Sequence, residues 1–121
     1  VERKHWNLFW MVDPLDGTKE FLKRNDDFTV NIALIDIQVP VLGVVALPVT
    51  GEVFYASKGE GAYVKRKGAV TKLSTRAHFD TNKPGARVVA SRSHMSEETE
   101  HYIKQLIEPT LVSKGSSLKF M

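Results

Sequence analysis

The apolar positions in the first two thirds of the chain recur mostly with a period of two. Phe28, Val30, Ile32 and Leu34 fall on one face of a predicted strand, while the other face starts polar and becomes apolar. Four more strands are predicted, over residues 41–47, 53–57, 62–64 and 70–73. Turns are predicted between them at residues 38–40 and 48–52 and at the later glycines. Successive strands joined by short turns predict an antiparallel meander.

The segment before the meander is aromatic and apolar. Residues 6–12 predict a buried strand that ends at Asp13, because Pro14 disfavours a helical conformation in the preceding residue. A short helix is then predicted, with Asp16 or Gly17 as its N-cap, Glu20 in its first turn and its end near residues 25–27.

The last third of the chain changes to alternating strands and helices. Residues 74–86 are polar and predict a connecting loop, followed by a strand over 87–91, a helix capped by Ser96 and stopped by Pro109, and a strand over 110–113. The helix has a predicted buried stripe at helical spacing: Thr99, Tyr102, Ile103, Leu106 and Ile107. A further helix is predicted to begin at Ser116, and the sequence ends within its first turns. We therefore predict a mixed α/β (α+β) class, with one part over residues 1–73 and the start of a second over 87–121.

Composition and charge limit the classes of function. The 121 residues are 42% hydrophobic and 26% charged, which is typical of a soluble globular domain. The net charge of +3 comes from scattered basic residues, with one cluster at residues 65–67 that is typical of a solvated hairpin tip, so charge does not predict a nucleic-acid partner.

Location and completeness are also predicted. The chain has no cysteine, no run of about 18 apolar residues and no signal-peptide pattern, so we expect a cytoplasmic protein. Peripheral association with the inner membrane face stays open, as does the oligomeric state. The start at Val1 and the interrupted helix at the end predict an internal piece of a longer protein.

Two carboxylates provide the sharpest chemical signal. Asp13 and Asp16 flank Pro14 and Leu15, so both carboxylates and the Leu15 carbonyl can converge on one point. Oxygen ligands of this kind suit Mg²⁺. The backbone N–H groups of Gly17 and Thr18 can hold a phosphate at the start of the helix. An ordinary strand–turn–helix connection with an aspartate N-cap explains the same residues equally well.

The wider sequence resembles a known family. Trp10-Met-Val-Asp-Pro-Leu-Asp-Gly-Thr18 is similar to the W-x-x-D-P-[IL]-D-G-T signature of the inositol monophosphatase superfamily of Mg²⁺-dependent, lithium-sensitive phosphatases. Within it, Thr18-Lys-Glu-Phe21 resembles the 3'(2'),5'-bisphosphate nucleotidases. Further segments agree with that group: residues 28–32, 40–45, 59–63, 91–94 and 115–120.

The resemblance implies the layered α-β-α-β-α fold and a role for particular residues. Asp13 and Asp16 would bind metal through carboxylates and Leu15 through its carbonyl, with two or three Mg²⁺ ions in the complete site. Thr18 would orient the attacking water, and residues 15–18 would line the phosphate. His94, Gly115 and Lys119 would approach the nucleotide, although a locally packed histidine and a solvated helix lysine remain alternatives.

The implied activity removes the 3'-phosphate of adenosine 3',5'-bisphosphate, a small-molecule partner, to give AMP and phosphate. Action on 3'-phosphoadenosine 5'-phosphosulfate is a further expectation. Alternatives are an inositol or sugar monophosphatase of the same superfamily, or a non-catalytic nucleotide- or phosphate-binding module. The family's upstream glutamate pair and aspartate and its downstream Trp-Asp motif do not occur in these residues. We therefore expect this stretch alone to be inactive.

Overall fold

The computed structural model describes residues 5–75, 80–91 and 95–121. Six antiparallel strands form one sheet in chain order, and two further strands pair in parallel. The strands are β1 (Leu8–Asp16), β2 (Thr29–Asp36), β3 (Val39–Leu47), β4 (Glu52–Ser57), β5 (Gly61–Arg66), β6 (Ala69–Leu73), β7 (Arg87–Ser91) and β8 (Thr110–Lys114). The helices are α1 (Thr18–Leu22), α2 (Glu97–Lys104) and a 3₁₀ helix at Ser116–Phe120. The predicted meander and the mixed α/β class are confirmed.

The predicted turn at residues 38–40 is wrong by about one residue. The β2–β3 hairpin turns at Ile37 and Gln38, whose φ angles are 44° and 65°, and β3 begins at Val39. Positive φ at both central residues matches the twist of the flanking strands. Pro40 therefore lies inside β3 opposite Ile35, where the pairing register shifts. A bulge accommodates proline because the ladder of hydrogen bonds between the strands is interrupted there, so the N–H group that proline lacks is not required.

The prediction of a buried strand over residues 6–12 is also wrong. β1 runs from Leu8 to Asp16, and Trp10, Met11 and Val12 are 58%, 51% and 55% exposed. Neighbouring residues of a strand point to opposite faces, so the described part of the chain covers neither face of β1 here. Among the described strands, β1 lies at one edge of the sheet and pairs only with β2, which leaves its apolar residues outside the described core.

The core lies in the middle of the meander. Leu47, Phe54 and Val64 form a buried cluster on β3, β4 and β5, and Val45 packs against it. Leu118 of the 3₁₀ helix packs against the same cluster. This contact brings the end of the chain onto the sheet.

Both α-helices, α1 and α2, are shorter than predicted. Ser96 is the N-cap of α2, as predicted, and its hydroxyl accepts a hydrogen bond from the Thr99 N–H at 3.3 Å. The helix ends at Lys104 rather than at Pro109, because the N–H groups of Gln105 and Leu106 bond to carbonyls three residues back. α1 likewise ends at Leu22 rather than near residues 25–27, and the φ of Arg24 is 54°.

The predicted buried stripe of α2 is wrong. Tyr102 and Ile107 are 57% and 46% exposed, Thr99 is exposed, and Ile103 and Leu106 are only half-buried. The early end of the helix explains part of this, since Leu106 and Ile107 lie beyond α2 and do not continue its helical face. The interrupted helix predicted from Ser116 is the 3₁₀ helix. Within the described residues, no helix is long and apolar enough to cross a membrane.

Candidate active site

The candidate site is built on a bulge at the end of β1. Asp13 pairs with Asn31 and Asp16 with Thr29 on β2, while the pairing skips Pro14 and Leu15. The Asp13 carboxylate is exposed and accepts a hydrogen bond from the Leu15 N–H at 3.2 Å, which closes an Asx turn. β1 thus continues past Asp13, where a strand end was predicted, and the bulge places the two aspartates beside the start of α1.

The Asp16 carboxylate is bound by the end of the chain. Its Oδ2 accepts hydrogen bonds from the Ser117 N–H at 2.8 Å and from the Ser116 hydroxyl. The Ser116 hydroxyl also lies 3.2 Å from the Asp16 backbone carbonyl. The carboxylate therefore faces the 3₁₀ helix instead of capping α1. Gly17 is the N-cap of α1, and no side chain of the described residues caps that end.

Thr29 connects these groups to the sheet. Its side chain is fully buried, and its Oγ1 lies 2.7 Å from the Ser117 hydroxyl and 3.0 Å from the Ser116 hydroxyl. The same oxygen contacts the Asn31 side-chain carbonyl at 3.1 Å and Asp16 Oδ2 at 3.5 Å. A buried hydroxyl needs such partners, since a buried polar group without a hydrogen bond is costly.

These hydrogen bonds change the acidity of Asp16. Burial alone would raise the pKa of its carboxyl group. The hydrogen bonds from the Ser116 hydroxyl, the Ser117 N–H and the Asn31 and Ser117 side chains outweigh burial and hold the pKa below its usual value. The hydrogen bonds therefore favour the ionised form of Asp16, which is the form that binds a cation.

Two glycines permit the close approach of the chain end. A Cβ on Gly17, whose φ is 87°, would lie 2.9 Å from the Ser116 Cβ and 3.1 Å from the Asp27 carbonyl oxygen. A Cβ on Gly115 would lie 2.7 Å from the Glu20 Cγ. Neither position has room for a side chain without a shift of its neighbours.

A second carboxylate binds the residues just before the 3₁₀ helix. Asp27 is only 6% exposed, and its Oδ2 accepts a hydrogen bond from the Gly115 N–H at 3.1 Å. The Lys114 ammonium lies 3.3 Å from the other Asp27 carboxylate oxygen. Asp27 thus fixes the position of Gly115, directly before the two serines that reach Asp16.

The remaining predicted site residues are placed as follows. Thr18 is exposed at the start of α1, and Leu15 and Gly17 are half-buried. Gly115 is buried, and Lys119 is half-buried in the 3₁₀ helix next to Leu118. His94 lies outside the described residues. The structure therefore brings the predicted turn and the segment 115–119 together, and it does not describe His94.

The donors on this chain suit Mg²⁺ in kind. The carboxylates of Asp13 and Asp16 and the carbonyl of Leu15 are all oxygen donors, which Mg²⁺ prefers. Within the described ranges, no group of three or more histidine, aspartate or glutamate side chains is placed to share a metal ion. These residues thus offer a partial ligand set.

Several residues that surround Asp16 had no predicted role, among them Thr29, Asn31, Ser116 and Ser117. A signal was present for the first two, because Thr29 and Asn31 are the polar positions on one face of an otherwise apolar strand. No sequence pattern links Ser116 to Asp16, since they are 100 positions apart.

Comparison with known proteins shows the family of the chain. The model of the inositol monophosphatase family matches residues 1–119. The chain belongs to the inositol monophosphatase family. Within that family, it is 50% identical over 118 residues to the 3'(2'),5'-bisphosphate nucleotidase CysQ of Salmonella typhimurium, and 49% identical to that of Escherichia coli K12. Each alignment covers 98% of this chain and 46% of the relative, so the chain spans just under half the length of these relatives.

A solved structure of this family has the same fold. CysQ from Bacteroides thetaiotaomicron superimposes with a TM-score of 0.76 at 42% identity. The match covers 97% of this chain and 49% of that one. The mixed α/β fold with its antiparallel sheet is therefore that of the family, as the resemblance implied. The division into parts over 1–73 and 87–121 stays a prediction.

Proposed function

We propose that the intact protein is a Mg²⁺-dependent 3'(2'),5'-bisphosphate nucleotidase. The observation that carries the proposal is the identity of 50% to a curated bisphosphate nucleotidase, which extends over 98% of this chain. The family match over residues 1–119 includes both the Asp13–Thr18 turn and the Gly115–Lys119 segment. Both segments meet in the structure at Asp16.

Asp13, Leu15 and Asp16 would contribute the metal ligands of this part of the protein. Magnesium, when bound, supplies positive charge that polarises the phosphoryl group and lowers the pKa of a water molecule. The bulge between Asp13 and Asp16 carries all three proposed ligands within one short segment. The hydrogen bonds on Asp16 keep that side chain negatively charged.

The residues around Gly17 and Thr18 would bind the phosphate and orient the water. In the proposed reaction, the water oxygen bonds to phosphorus, the bond from phosphorus to the 3'-oxygen breaks, and that oxygen leaves with a proton. Thr18 is exposed at the start of α1, where a water molecule can reach its hydroxyl. The products from adenosine 3',5'-bisphosphate are AMP and phosphate, and 3'-phosphoadenosine 5'-phosphosulfate would lose its 3'-phosphate in the same way.

We assign nucleotide contacts to His94, Gly115 and Lys119. Gly115 is buried and its N–H donates to Asp27, so the support for its assignment is the resemblance of residues 115–120. Lys119 carries a positive charge on the same 3₁₀ helix whose first residues contact Asp16. A cationic side chain there suits a substrate with two phosphate groups. For His94 the support is the resemblance of residues 91–94 alone.

Two alternatives remain. An inositol or sugar monophosphatase would use the same metal ligands, and Lys19 and Glu20 favour the nucleotide group by resemblance. A non-catalytic nucleotide-binding module is the other alternative, since the described residues supply only part of a metal site.

The test compares hydrolysis rates of the intact protein, with Mg²⁺, on adenosine 3',5'-bisphosphate and on inositol monophosphate. We expect faster phosphate release from the bisphosphate, and a loss of at least about 100-fold in Asp13→Asn and Asp16→Asn, because each removes a metal ligand. Asp36→Asn, on the exposed end of β2, is the control and should retain activity. Faster hydrolysis of the inositol ester would overturn the substrate assignment, and no Mg²⁺-dependent release would favour the binding module.

A further inference from the structure

Two adjacent serines determine the orientation of the Asp16 carboxylate. The Ser117 N–H and the Ser116 hydroxyl both donate to Oδ2 of Asp16, the first at 2.8 Å. With Oδ2 held from the side of the 3₁₀ helix, the direction of the other carboxylate oxygen is fixed as well. Outer partners that orient a ligand in this way tune metal affinity almost as strongly as the ligands themselves.

The serine pair is in turn held by the sheet. The Ser117 hydroxyl lies 2.7 Å from the Thr29 Oγ1 and 3.1 Å from the Asn31 side-chain carbonyl. The Ser116 hydroxyl donates to Asp16, and the Ser117 hydroxyl, the Thr29 hydroxyl and the Asn31 side-chain carbonyl lie within 3.1 Å of one another. Because Thr29 is fully buried, this chain of hydrogen bonds has little freedom to rearrange.

We propose that Ser116 and Ser117 are positioning residues that hold the Asp16 carboxylate for binding Mg²⁺. The inference rests on the proposed function, since it assumes that Asp16 binds metal. Ser116 acts through its side chain. Ser117 acts through its N–H, which its hydroxyl keeps in place by bonding to the β2 side chains.

The backbone of Ser116 supports a role for its side chain. Its φ is 51°, in the left-handed region that glycine adopts at little cost and other residues adopt with strain. The backbone conformation therefore favours glycine, whereas the serine hydroxyl supplies the hydrogen bonds to Asp16 and the contact with Thr29.

Because the backbone favours glycine while the hydroxyl bonds to Asp16, two substitutions of Ser116 can distinguish a positioning role from a purely structural one. Ser116→Gly removes the hydroxyl and relaxes the backbone, whereas Ser116→Ala removes the hydroxyl and keeps the unfavourable φ. We expect both variants of the intact protein to bind Mg²⁺ about tenfold more weakly by isothermal titration calorimetry. We also expect the glycine variant to unfold at a higher temperature than the alanine variant, measured without metal.

Ser117→Ala and Ser113→Ala complete the series. Ser117→Ala keeps the N–H that reaches Asp16, so its loss of Mg²⁺ affinity should be smaller than that of Ser116→Gly. Ser113 is exposed on β8, and its alanine variant should bind Mg²⁺ with the affinity of the wild type.

The outcomes distinguish the two proposals. Absence of Mg²⁺ binding and of phosphatase activity in the wild-type protein would overturn the proposed function and the inference with it. If the wild type binds Mg²⁺ and Ser116→Gly binds it equally well, the proposed function stands and the inference fails. The inference also fails if the affinities of the two Ser116 variants simply follow their unfolding temperatures.

Discussion

Gly17 and Ser116 approach so closely that a Cβ on Gly17 would lie 2.9 Å from the Cβ of Ser116. The contact joins the turn after β1 to the start of the 3₁₀ helix. It exists because Gly17 has no side chain and adopts a φ of 87°. The proposed metal ligand Asp16 directly precedes this contact, so the residues that determine local stability here adjoin the proposed metal site.

Replacing Gly17 tests the close approach. Gly17→Ala should destabilise the intact protein by about 3 kcal/mol, because it adds both left-handed strain and a steric conflict with Ser116. Gly59→Ala is the matched control, since Gly59 has the same φ of 87° and a Cβ added there would meet no atom of the described residues within 4 Å. It should cost only about 1 kcal/mol. Equal losses in urea unfolding would show that the contact with Ser116 is unimportant.

Gly115 tests crowding without backbone strain. Its φ is −92°, and an added Cβ would lie 2.7 Å from the Glu20 Cγ and 3.1 Å from the Asp27 Cβ. We expect Gly115→Ala to lower the free energy of unfolding by about 1–3 kcal/mol. Adding Glu20→Ala should recover part of that loss. Gly43→Ala, with nothing within 4 Å, is the control and should be neutral or slightly stabilising. A neutral Gly115→Ala would contradict the packing at this position.

Asp27 should contribute more to stability than its neighbour. Asp27→Ala removes the acceptor of the buried Gly115 N–H and the partner of Lys114, so we expect a loss of about 2 kcal/mol in thermal or denaturant unfolding. Asp26 is exposed, and Asp26→Ala should change stability by about 0.5 kcal/mol or less. Similar effects of the two substitutions would mean that the Asp27 hydrogen bonds contribute little.

The lowered pKa of Asp16 predicts acid sensitivity. Because the folded-state pKa lies below the ordinary value of 3.8, ionised Asp16 stabilises the folded protein above that value. This contribution is lost as the pH falls through the folded-state pKa. The stability difference between wild type and Asp16→Asn should therefore be constant above about pH 5 and shrink in more acidic buffer. Urea unfolding in the presence of a chelator measures it, and a difference that does not change with pH would contradict the prediction.

Much of the fold could be predicted because it depends on neighbouring residues. The period-two pattern located β2 to β6, and the strand β7 and the Ser96 cap were predicted at their observed positions. These features arise from local sterics and local hydrogen bonds. The errors concern burial and helix ends. Apolar residues such as Trp10 and Tyr102 predicted buried faces, but burial depends on which other segments cover them.

In the candidate site, too, residues within one short segment could be predicted, whereas contacts between distant segments could not. Asp13, Asp16 and Thr18 could be named from the sequence, since their spacing and the family resemblance lie within one short segment. The role of the chain end could not be named, because hydrogen bonds from Ser116 and Ser117 to Asp16 join residues about 100 positions apart. The sequence by itself determined the family, the strands and the acidic turn. Only the tertiary structure decided which groups hold Asp16, because contacts between distant segments arise when the sheet and the 3₁₀ helix pack together.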